Sequence, residues 1–148
     1  MALIRSNDRY YLYGYDTLEY NGEIRERHYR VDKLDNIELI NQSRYGEERF
    51  NSFDAITYVS RRMGMFPGKE HLITVKIPNY MVGVFIDQFG KEIVINEEGD
   101  KLFVTFQAVS SDILLGWLIG LHEVEVLKPQ SVRAQIIDLM EHNKKFYK

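Results

Sequence analysis

Apolar side chains alternate with polar ones at every second position in several short stretches, and between these the spacing widens to three or four residues. In the first part of the chain, residues 2–5 and 10–15 read as strands around a turn at Ser6, Asn7 and Asp8. Asn21-Gly22 is a turn signal ahead of a third strand at residues 24–31, and a fourth at residues 37–40 follows Asp35-Asn36. Residues 51–62 take helical spacing, with Phe53, Ile56 and Met63 near one face and Asn51 or Ser52 as the cap. Four short strands and a helix make an incomplete small barrel.

The second part has a more regular rhythm. Residues 71–77 form a strand, and Pro78-Asn79 starts a helix that carries Met81, Val84, Phe85 and Ile86 and stops at Gly90. Residues 92–96 and 101–109 make a hairpin around Glu97, Glu98, Gly99 and Asp100, with Leu102, Val104, Phe106 and Ala108 on one face. Ser110, Ser111 and Asp112 cap a strongly apolar helix at residues 113–121. Residues 124–127 are a strand, and Pro129 opens a last amphipathic helix presenting Val132, Ile136, Leu139 and Met140. This β-α-β-β-α-β order with an added helix predicts a ferredoxin-like sandwich. The fold class is therefore α+β.

Composition places the boundary between the two parts. Arg is concentrated before position 63, with Arg133 alone beyond it, whereas Lys33 is the one Lys before Lys69; eight of the ten Tyr end at Tyr58. The shift coincides with Gly64, Pro67 and Gly68, so the expected domains are residues 1–66 and 67–148.

A net charge of −3 excludes a generally basic surface, so anion binding has to come from a local patch. One such patch is visible. Between Tyr10 and Lys33, Tyr10, Tyr11, Tyr13, Tyr15, Tyr20 and Tyr29 are interleaved with Arg25, Arg27, His28 and Arg30, the combination of stacking faces and cations that holds nucleobases and phosphates. In the third strand Glu26, His28, Arg30 and Asp32 share one face, and Arg27, Tyr29, Val31 and Lys33 the other. With Tyr29 and Val31 as the inward pair, His28 and Arg30 point outward together, and Arg30 becomes a candidate for bidentate phosphate contact. A Tyr-rich strand pair with solvated charges, in which Arg30 pairs with Asp32 or Glu26, fits the same residues.

Other chemistries find little support. Without Cys there are no disulfides, thiolate ligands or cysteine nucleophiles, which suits a reducing cytosol, and no apolar run approaches the roughly 18 residues of a membrane span. A soluble, cytoplasmic protein is expected. His28, His71, His122 and His142 are scattered without metal-ligand spacing, so neither a metal nor another cofactor is expected. Gly64, Gly68 and Lys69 fall one residue short of a P-loop, with Glu70 in place of its Ser or Thr. Glu47-Glu48 and Glu97-Glu98 sit in turns, no nucleophile elbow is present, and the chain is not expected to be an enzyme. Trp117 lies in the apolar helix as a core or interface residue. That helix has more apolar surface than one small sheet covers, which points to self-association.

Two of these segments resemble the paired signatures of the WYL domain, a small Sm-like or SH3-like β-barrel of bacterial transcription regulators. Its Trp-Tyr-Leu falls on Tyr10, Tyr11 and Leu12, with Tyr10 in the Trp position; its Phe-Arg-hydrophobic-Asp-Arg-hydrophobic string falls on Tyr29, Arg30, Val31, Asp32, Lys33 and Leu34, with Lys33 in an Arg position. The second part looks like the C-terminal extension that commonly follows this barrel, including the passage from Trp117 to Pro129. The resemblance implies an effector-sensing region whose signal is a nucleotide or single-stranded nucleic acid, met by Tyr11, His28, Arg30 and Lys33; Arg5 and Arg9 join them because both flank the turn leading into the Tyr-rich strand. It also implies that the first barrel strands and the helix-turn-helix, through which a regulator would reach duplex DNA, lie outside these residues. No membrane partner is implied, and a homodimer is expected. The competing reading is a structural oligomerisation module without a ligand of its own.

Overall fold

The computed structural model describes residues 1–15, 25–43 and 47–148, except for the side chain of Arg49. The expected Asn21-Gly22 turn and the start of the third strand at Ile24 lie outside the described residues. The chain divides into two compact units, Met1–Val59 and Ser60–Lys148. Among the described residues there are two antiparallel sheets, of three and four strands, and four α-helices.

In the first unit β1 (Ala2–Ser6), β2 (Arg9–Tyr15) and β3 (Glu26–Arg30) form the three-stranded sheet in the order β1-β2-β3. Asn7 and Asp8 join β1 to β2 with positive φ of 48° and 58°, a conformation that their short polar side chains tolerate. Pairing sets Ala2 opposite Tyr13 and Ile4 opposite Tyr11, then Tyr13 opposite His28 and Tyr11 opposite Arg30. Paired residues share a face. Ile4, Tyr11, Tyr13, His28 and Arg30 therefore lie on one side, and Leu3, Arg5, Tyr10 and Tyr29 on the other.

Burial chooses between the faces. Ile4 and Tyr13 are each 2% exposed, whereas Leu3, Tyr10 and Tyr29 are exposed. The expected inward pair of Tyr29 and Val31 is thus corrected: His28 faces the covered side, Tyr29 faces solvent, and Val31–Lys33 leaves the strand as a 3-10 turn. The physical reason is the register, since His28 lies across from the buried Tyr13.

Two further expectations are corrected in this unit. Residues 37–40 form no strand, and Ile37, Leu39 and Ile40 are exposed; apolar composition alone cannot make a strand without a neighbour to bond. The helix is shorter than residues 51–62. Glu47–Phe50 is a 3-10 turn and α1 spans Ala55–Ser60, because Asp54 rather than Asn51 or Ser52 is the cap: its Oδ1 accepts from the amides of Ile56 and Thr57 at 3.0 and 3.2 Å. Ile56 points to solvent from this helix.

The second unit contains β4 (Glu70–Pro78), α2 (Val82–Phe89), β5 (Val94–Glu98), β6 (Lys101–Val109), α3 (Asp112–Gly120), β7 (Glu125–Lys128) and α4 (Gln130–Lys144). Its strand order is β5-β6-β4-β7 with every neighbouring pair antiparallel. Ile73, Val75 and Ile77 of β4 lie opposite Phe106, Val104 and Leu102 of β6, so alternation in both strands delivers one apolar face. Phe85 and Phe89 of α2, Leu114, Leu115 and Leu118 of α3 and Val132 of α4 complete the same core. The opposite face carries an exposed Leu72 and a hydroxyl pair between Thr74 and Thr105 at 2.9 Å.

Polar details fix the helix ends. The Ser111 hydroxyl accepts from the Leu114 amide at 3.4 Å at the start of α3, and Gly90 ends α2 with a φ of 84°. Val84, expected among the apolar positions of α2, is exposed. No helix among the described residues is long and apolar enough to cross a membrane.

The segment entering β4 runs against the end of β6. The Ser110 amide donates to the Lys69 carbonyl at 2.9 Å, and a Cβ placed on Gly68 would lie 2.8 Å from both the Ser110 carbonyl oxygen and Val109 Cγ1. The Ser110 carbonyl belongs to a backbone whose amide is held by Lys69, so it cannot retreat as a flexible side chain would. Gly68→Ala is expected to destabilise the second unit by about 1–3 kcal/mol, read as a lower urea midpoint with an unchanged slope.

Candidate functional site

The covered face of the three-stranded sheet gathers a cluster of rings. Tyr13 lies at its centre, with ring centroids at 5.2 Å from His28, 5.0 Å from Phe53, 4.8 Å from Tyr58 and 5.6 Å from Phe50. His28 stacks on Tyr13 at an interplanar angle of 21°, and its Nε2 lies 2.8 Å from the Tyr58 hydroxyl. The Tyr58 hydroxyl in turn reaches toward Glu26 Oε2 at 3.5 Å. Burial, then the neighbouring Tyr58 and Glu26, push the Tyr13 phenol far above its ordinary range, so it stays protonated. These rings fill one another's faces and act as a core for the unit.

Farther along the same face the chemistry turns cationic. Tyr11 lies opposite Arg30, and Arg9 is two residues before Tyr11 on β2. The Arg30 guanidinium makes a two-pronged contact with Asp32, Nε to Oδ1 at 3.0 Å and a terminal nitrogen to Oδ2 at 2.6 Å. This contact holds the Asp32 carboxyl below its usual range, with Arg9 adding to the effect, and raises the Arg30 guanidinium. Both side chains are exposed enough for water and salt to screen the pair.

Of the residues singled out from sequence, the sheet therefore brings Arg9, Tyr11 and Arg30 to one end of a common face, with His28 deeper on that face among the rings. Lys33 follows on the exposed 3-10 turn after β3. Arg5 is not brought to them: it lies on the opposite face and pairs with Asp8 at 2.8 Å. Sequence reasoning passed over the role of Phe50, Phe53 and Tyr58 as partners of Tyr13. The available signal was Tyr13 itself, which shares strand parity with Tyr11.

Among the described residues no group of three or more His, Cys, Asp or Glu is placed to hold a metal ion. Comparison with curated proteins gives no match. Comparison with protein families gives a match to the WCX domain over residues 69–142, which is half of the chain and covers the second unit from β4 through most of α4. This match points to a regulatory-domain role in a transcription regulator of the WYL type. The chain belongs to the WCX-domain family.

Proposed function

We propose that this chain is the effector-sensing and dimerisation region of a bacterial transcription regulator, with a nucleotide or single-stranded nucleic acid as the effector. The WCX match carries the reading. In detail, the second unit is read as a ferredoxin-like domain, supported by its strand order β5-β6-β4-β7 with α2 and α3 on one face. The first unit is read as part of a WYL-like, Sm-like barrel, supported by Tyr10-Tyr11-Leu12 on β2 and Tyr29-Arg30 on β3.

The anion enters where Arg30, Tyr11 and Arg9 share one end of the sheet face, with Lys33 beside them; His28 shapes the floor through Tyr13 and Tyr58. The guanidinium supplies the fork for a phosphate and Tyr11 a ring for a base. Because Asp32 fills that fork without effector, binding requires Asp32 to let go. The effector then shifts the population between two arrangements of the regulator. No catalytic step belongs to this reading, and the site of action is the cytoplasm.

Labelled single-stranded DNA titrated at several salt concentrations tests it. Binding through Z phosphates gives a log-log salt slope of about −0.7Z, and Arg30→Ala is expected to reduce its size by about 0.7. Asp32→Asn is expected to tighten binding at every salt concentration, because it removes the internal competitor. A structural oligomerisation module remains the second reading, favoured by the filled Arg30 fork and the mutually packed rings. No saturable binding by strands or nucleotides, in a chain that still dimerises, would decide for it.

A further inference from the structure

A groove of about 400 Å³ opens between the end of α3, the turn into β7 and the middle of α4. Leu118, Leu121, Val124, Ile136, Ile137 and Met140 line it, and Ile137 and Met140 are about half exposed to solvent. Glu123, Glu125 and Arg133 stand around it. The Arg133 charge is already taken up: its guanidinium donates to the Val126 carbonyl at 2.6 Å and lies 3.5 Å from Glu125. The groove is thus apolar within, with Glu123 as its uncompensated charge among the described residues.

Beyond α4 a 3-10 turn, Lys145–Tyr147, presents the opposite chemistry. Phe146 is 71% and Tyr147 90% exposed, between Lys144, Lys145 and Lys148. Among the described residues Phe146 meets one ring, that of His142, edge to face at 5.4 Å between centroids. Two adjacent exposed aromatics are a large apolar surface left in water, and the three cations beside them match Glu123 at the groove, Glu125 being already paired with Lys76 at 3.4 Å and with Arg133.

From this juxtaposition we infer that the groove receives residues 144–148 of a second copy of the chain. This deepens the dimerisation part of the reading above and rests on it. A chain cannot fill its own groove, because α4 is one continuous helix: Phe146 lies roughly 9 to 20 Å farther along the axis than Met140 and Arg133, the groove residues on that helix. An antiparallel pairing of two α4 helices about an axis beside Glu141 solves the geometry. It sets residue 146 of each copy opposite residue 136 of the other, and both grooves fill at once in a closed, two-fold contact. Lys144, 3.7 Å from Glu141 on the same helix, offsets the two Glu141 charges that approach at the axis.

Sedimentation velocity on the full chain tests the arrangement. The expected result is a dimer whose dissociation constant rises at least about tenfold in Phe146→Ser/Tyr147→Ser and, separately, in Ile137→Glu, all exposed positions whose folding is checked by circular dichroism. Charge reversal gives the sharper readout. Glu123→Lys and Lys145→Glu/Lys148→Glu should each weaken the dimer alone and regain it when mixed, because only the mixed dimer restores both contacts. A dimer that none of these variants weakens would overturn the inference and leave self-association to another surface. A wild-type chain that stays monomeric to about 0.1 mM would overturn it together with the dimerisation reading.

Discussion

Phe85→Ala is expected to cost the second unit about 3–5 kcal/mol, a large share of the 5–15 kcal/mol by which a domain is ordinarily stable. Phe85 is fully buried, and its ring centroid lies 5.7 Å from Phe106, 6.3 Å from Phe89 and 5.3 Å from Trp117. Phe89 and Phe106 stack at 4.1 Å beside it. The ring thus ties α2 and α3 to β6, and truncation leaves a void bordered by rigid aromatics that collapse poorly into it. Urea unfolding followed by Trp117 emission measures the effect, since Trp117 is the one tryptophan in the chain. A loss under about 1 kcal/mol would mean that the surrounding rings repack, contrary to this account.

Tyr13→Ala is the corresponding change in the first unit, with an expected loss of about 3–5 kcal/mol by comparison with other buried aromatic truncations. Five side chains surround this ring: Tyr15, His28, Phe50, Phe53 and Tyr58. A three-stranded sheet has little other apolar burial to draw on, so the unit should lose its fixed packing. The readout is the near-ultraviolet dichroism of tyrosine, because eight of the ten tyrosines end at Tyr58. Trp117 emission should keep its native transition. Simultaneous loss of both signals would show instead that the two units unfold as one.

These two sites also mark where sequence was and was not a sufficient guide. The second unit was legible because Leu102, Val104, Phe106 and Ala108 alternate without interruption, and all four are buried against the facing residues of β4. Short-range signals then placed the turns, as Gly99-Asp100 and Ser111 did. The first unit was harder. Tyr29 outranks His28 as an apolar residue, yet His28 is the one covered, because pairing with Tyr13 decides the face and side-chain type does not. Residues 37–40 have the composition of a strand without a bonded neighbour. Asp54 displaced the expected helix start by offering its carboxylate to two free amides. At the candidate site, strand parity put His28 and Arg30 on one face, as the register has them, but took that face for the outward one, whereas it is the face of the buried Tyr13. The position of Arg5 on the other face depended on the Asn7-Asp8 turn and its register, which no local pattern specifies.

If the first unit senses an anion as proposed, the contact between Arg30 and Asp32 discriminates among anions. A carboxylate two residues away is a competitor that diffusion never removes, and tethering over so short a span gives it an effective concentration on the order of millimolar or higher. A solitary monoanion at lower concentration would seldom hold the guanidinium for long. A molecule that presents several negative groups in a row would meet Arg9, on β2, and Lys33, on the turn after β3, as well, and would keep its hold while Asp32 is displaced. In the proposed sensing role the internal ion pair would therefore act as a filter on valence, with a threshold that small metabolite ions fall below and a multiply charged strand exceeds.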